Sequence, residues 1–62
     1  MLYQVYLQNG PLSPWLALKT TDEKEATLFV ESAKAQYVYL RILDEQGWVV
    51  SLRCYKCQIN GL

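Results

Sequence analysis

The chain has 62 residues, with six Lys plus Arg, six Asp plus Glu, no His and two Cys. That length makes one domain, residues 1–62, which buries only about 60% of its unfolded surface. A formal net charge of zero speaks against a dedicated duplex-DNA binder, and the 52% hydrophobic share against disorder.

Residues 1–18 carry no charge. They do not read as a signal peptide. The stretch itself lacks a basic n-region, and Gln4, Gln8, Asn9, Gly10 and Pro11 interrupt any apolar core. No apolar run approaches the roughly 18 residues of a membrane span, so a soluble, cytoplasmic chain is expected. Tyr3, Val5 and Leu7 alternate with Gln4, Tyr6 and Gln8, the pattern of a strand with one wetter face. Asn9-Gly10, Pro11 and Pro14 then mark a loop. Trp15 to Lys19 reads as a second short strand, closing a hairpin.

A helix is expected over residues 22–35. Asp22 with Glu25 fits a cap and third-residue pattern, and Thr20 with Glu23 is the competing register. Asp22, Glu23 and Glu25 also suit the positive end of the helix dipole. Ala26, Phe29, Val30, Ala33 and Tyr37 follow the three/four spacing of a buried stripe.

Residues 36–57 form the clearest hairpin. Asp44-Glu45-Gln46-Gly47 suits a type I turn closed by a glycine bulge. That turn fixes a register, setting Ile42 opposite Val50, Leu40 opposite Leu52 and Val38 opposite Cys54, an all-apolar core face. The other face then pairs Leu43 with Val49, Arg41 with Ser51, Tyr39 with Arg53 and Tyr37 with Tyr55. Residues 58–62 read as a frayed tail. The order strand, strand, helix, strand, strand implies an α+β fold. Its sheet has four strands, mostly antiparallel, with one helix on one face.

The sequence offers little for catalysis or metal binding. Without His, no Ser-His-Asp or Cys-His arrangement exists, and no phosphate-binding glycine pattern occurs. No enzyme activity, cofactor, metal or small-molecule substrate is expected. Cys54-x-x-Cys57 lacks a second ligand pair, so a zinc site would need a dimer to complete it. At the end of a strand, Cys54 is expected in the core and Cys57 outside it, with no disulfide framework. Trp15 and Trp48 are expected to cap the ends of the core.

The informative feature is the expected helix-free face: Tyr37, Tyr39, Arg41, Leu43, Val49, Arg53 and Tyr55. Solvent-facing sheet surfaces are normally filled with Lys, Glu and Thr, whereas Tyr and Arg are enriched at protein–protein hot spots. The expectation is a non-enzymatic interaction module acting through this face. It would work as a homodimer or as a small regulator or inhibitor of another protein. Two alternatives stay open. The same Tyr and Arg residues suit single-stranded DNA or RNA, and the chain suits an accessory structural subunit of a larger assembly.

Overall fold

The computed structural model describes residues 1–55. Four strands form one antiparallel sheet: β1 (Leu2–Gln8), β2 (Trp15–Thr20), β3 (Tyr37–Leu43) and β4 (Val49–Cys54), in the spatial order β2-β1-β3-β4. A single helix, α1 (Glu23–Ser32), follows β2 and packs on one side of the sheet. The expected tail at 58–62 lies outside the described residues.

The helix begins as its sequence implies. Asp22 is the N-cap, and its Oδ1 accepts from the Lys24 amide at 3.0 Å. Glu25 joins this start from inside the first turn, accepting from the Thr20 hydroxyl. The helix ends three residues earlier than expected, because Ala33 is already extended at ψ 140°. Gln36 then fastens the approach to β3. Its amide donates to Asn9 Oδ1 at 2.8 Å, and its Oε1 accepts from the Gly10 amide at 2.7 Å. Tyr37 therefore belongs to β3 and not to the helical stripe.

The core lies between α1 and the three strands β1, β2 and β3. Val5 and Val38 are fully buried, joined by Ala26, Val30, Ala33, Leu40 and Ile42, with Tyr3, Leu7, Leu18 and Phe29 around them. Strand pairing explains the composition of this side. Leu18, Val5, Leu40 and Arg53 form one row across the sheet, and Thr20, Tyr3, Ile42 and Ser51 form the next. The helix touches β1, β2 and β3 and makes no contact with β4.

The second hairpin departs from its expected register. Its turn forms as the sequence implies: the Gly47 amide donates to the Asp44 carbonyl at 3.1 Å, and Gly47 has φ +87°. Leu43 pairs with Val49, also as expected. The ladder then skips Val50, so that Ile42 meets Ser51, Arg41 meets Leu52, Leu40 meets Arg53 and Tyr39 meets Cys54. The Tyr55 amide continues the shifted register, donating to the Val38 carbonyl at 2.8 Å. A bulge of one residue inverts the faces of everything beyond it. Hydrophobic patterning fixes a register only where a face is buried, and the helix does not reach β4.

Both tryptophans differ from expectation. Trp15 is 42% exposed and Trp48 is 72% exposed, so neither caps the core. Trp48 follows the turn, where its amide donates to Asp44 Oδ1 and its ring has no helix above it.

Candidate functional site

The helix-free face is built by residues of alternate parity on the central strands. β1 contributes Gln4, Tyr6 and Gln8, and β3 contributes Tyr37, Tyr39, Arg41 and Leu43. The two outer strands extend these rows. Leu16, Tyr6, Tyr39 and Cys54 lie side by side, and Lys19, Gln4, Arg41 and Leu52 form the row beside them. Leu2, Leu43 and Val49 close one end, and Gln8 with Tyr37 lies toward the other.

Of the seven residues expected here, five are on this face: Tyr37, Tyr39, Arg41, Leu43 and Val49. Arg53 and Tyr55 are not. The Val50 bulge turns them to the helix side, opposite Leu40 and Val38. There the Arg53 guanidinium is held above its ordinary pKa, first by a hydrogen bond and the charge of Tyr55 and to a lesser degree by Glu23 at the helix start. Arginine is charged throughout the accessible pH range, so this shift carries no pH switch. Opposite Arg41, Leu52 takes the place that the unbulged register would give Ser51, and opposite Tyr39, Cys54 takes that of Arg53.

The face is a tied network. Arg41 Nε donates to Gln4 Oε1 at 2.9 Å, and its Nη2 donates to the Tyr6 hydroxyl at 3.0 Å. The Arg41 guanidinium carbon lies 5.2 Å from the centre of the Tyr6 ring, inside the range of a cation–π contact. The Tyr39 hydroxyl donates to Gln8 Oε1 at 3.0 Å, while Gln8 Nε2 donates to the Leu12 carbonyl at 2.8 Å. Tyr37 and Tyr39 stack at 6.5 Å with ring planes 12° apart. All these side chains are half-buried, and Leu16, Leu52 and Val49 stand exposed around them. Tyr6, Pro14, Tyr39, Arg41 and Leu52 line a shallow depression of about 400 Å³.

Sequence reasoning missed Lys19, Gln4, Tyr6, Leu16 and Leu52 as members of this site. The alternation of β1 did put Gln4, Tyr6 and Gln8 on one wetter face. Nothing local showed that β1 would lie against β3 and deliver those side chains to Arg41 and Tyr39.

Three of the six acidic groups serve local structure. Asp22 caps the helix, Glu25 accepts from Thr20, and Asp44 Oδ1 accepts from the amides of Gln46 and Trp48. Cys54 is exposed and disulfide-bonded, which corrects the expectation of a buried thiol without a bridge. Its face changed with the register. The expected position of Cys57 lies outside the described residues. Among the described residues no group of three or more His, Cys, Asp or Glu side chains gathers, and no helix is long and apolar enough to cross a membrane. Neither a family model, a curated protein nor a solved structure matches the chain.

Proposed function

We propose that this chain is a non-enzymatic interaction module that binds protein, a second copy or another chain, through its helix-free sheet face. The observation that carries the reading is the composition of that face. Half-buried Tyr6, Tyr39 and Arg41 are held in place by hydrogen bonds, and exposed Leu16, Val49 and Leu52 surround them. Ordered aromatic and Arg side chains lose little entropy on binding, and exposed aliphatic neighbours gain from being covered. A cytoplasmic location belongs to the same reading only if the Cys54 bridge is dispensable, since disulfides persist mainly in oxidising compartments.

The second reading is binding of single-stranded nucleic acid. The stacked Tyr37–Tyr39 pair on a face that also carries Lys19 and Arg41 favours it. Sedimentation at rising protein concentration, with titration of a labelled oligonucleotide at two salt concentrations, separates the two. Protein binding predicts that Tyr39→Ala with Leu52→Ser weakens association at least about tenfold, as loss of hot-spot contacts does. Leu28→Ser on the outer side of α1 should leave association unchanged. A monomer that binds oligonucleotide, with affinity falling steeply as salt rises, overturns the first reading in favour of the second.

A further inference from the structure

We propose that the partner of the open face is a different protein presenting an acidic, partly apolar segment, and that Arg41 is the anchor for one of its carboxylates. The inference rests on the reading of this face as a protein-binding surface and supplies the chemistry of what binds there.

Charge on the face is of one sign. Lys19 and Arg41 flank Gln4 in one row across β2, β1 and β3, two strand spacings or about 10 Å apart. Among the described residues no carboxylate shares the face. The six acidic residues of the chain are Asp22, Glu23, Glu25, Glu31, Asp44 and Glu45. Asp22 caps α1 and the three glutamates lie in it, on the other side of the sheet; Asp44 and Glu45 are in the hairpin turn. The same face of a second copy therefore has no side-chain carboxylate to offer these cations. A separate acidic partner answers the same charge.

Arg41 is built to receive an anion. Its two side-chain hydrogen bonds go to the neutral acceptors Gln4 Oε1 and the Tyr6 hydroxyl, and a guanidinium has five N–H donors. Those bonds and the Tyr6 ring hold the fork in one orientation, so a carboxylate meets a pre-arranged partner. Beside it, the depression between Pro14, Tyr39 and Leu52 offers an apolar seat for the residue next to that carboxylate. A phosphate backbone fits less well. Tracking it takes several cations, and Arg53 lies on the helix side of the sheet.

The test uses the full chain and a defined probe, acetyl-Asp-Leu-Asp-Leu-Asp-amide, with its all-Asn counterpart and oligothymidylate as comparisons. Binding is followed by amide and Arg Nε–H resonances. Shifts should centre on Arg41, Leu52 and Lys19, and the Asn peptide should bind at least about fivefold more weakly, the equivalent of one partly exposed ion pair. Arg41→Gln should abolish the preference for Asp over Asn without changing the spectrum of β2 and α1. Arg41→Lys should keep part of it. Equal binding of the two peptides, shifts away from Arg41, or tighter binding of oligothymidylate each overturns the proposal. Self-association through this face without acidic-peptide binding also overturns it, while leaving the protein-docking reading in place.

Discussion

Leu52→Thr discriminates the observed register of β4 from the one that hydrophobic pairing favours. In the bulged ladder Leu52 stands opposite Arg41 on the open face and is 67% exposed. In the unbulged ladder it would pack opposite Leu40 in the core. Full burial of a Leu side chain is worth about 2 kcal/mol, so the one-third that Leu52 buries contributes about 0.7 kcal/mol. Threonine is β-branched, a shape that strands favour. The expected loss is therefore under about 1 kcal/mol, or less than about 8 °C in Tm for a domain this small. Val38→Ala on the neighbouring strand is the internal standard. Val38 is fully buried, and removing its methyl groups should cost about 2–3 kcal/mol including the cavity. A 62-residue domain holds only about 6 kcal/mol in total, so that second loss is plain in a urea titration. Both variants are measured at low protein concentration, where self-association adds nothing to apparent stability. A Leu52→Thr loss matching that of Val38→Ala would place Leu52 in the core and remove the bulge.

Other consequences are simpler to check. Gly47→Ala should cost about 1–2 kcal/mol, because φ is +87° and a Cβ there meets nothing within 4 Å, so the cost is purely conformational; Gly47→Asn should recover part of it in thermal melts. Asp22→Ala should lower stability by about 1 kcal/mol through loss of the helix cap. Asp44→Ala should cost more, since its Oδ1 accepts from two turn amides, and equal losses for the two variants would contradict that geometry. Native tryptophan fluorescence should resemble that of exposed indole and be quenched readily by iodide, because both rings are open to solvent. Cys54 should resist iodoacetamide until a reductant is added; immediate alkylation would show a free thiol.

How far the sequence could be read depended on where burial enforces its pattern. Val5, Val38, Leu40 and Ile42 are in the core as alternation implied, because the helix covers them. Asp22 and Gly47 were legible because a cap and a turn are local chemistry. The pairing of β1 with β3 was not legible, since it joins segments about 35 residues apart with no local marker of proximity. The face of Arg53 and Tyr55 was misread for a related reason. One extra residue at Val50 reverses it, and a bulge on a strand without a covering layer leaves no trace in hydrophobic periodicity.

The uncovered strand follows from dimensions. A helix is about 10–12 Å across, and three strands at about 4.8 Å spacing span about 10 Å. One ten-residue helix therefore covers β1, β2 and β3 and no more, as its contacts record. The fourth strand can gain no burial from it on either side. Selection for the isolated monomer's stability alone would favour polar residues there, since exposed apolar side chains add little to folding and invite association. Instead β4 and the turn before it carry Trp48, Val49, Val50 and Leu52, all at least half exposed. Two of these, Val49 and Leu52, belong to rows that run onto the open face beside Leu43 and Arg41. Part of the exposed apolar surface thus lies on the strand that the helix does not cover, at the edge of the face that carries Arg41. A partner that buries Leu52 is thereby brought to Arg41, so Leu52→Asp should weaken acidic-peptide binding more than Leu52→Thr does. Each substitution removes apolar contact, but only the aspartate also neutralises the arginine beside it. Equal losses in the two variants would mean that Arg41 and Leu52 act separately.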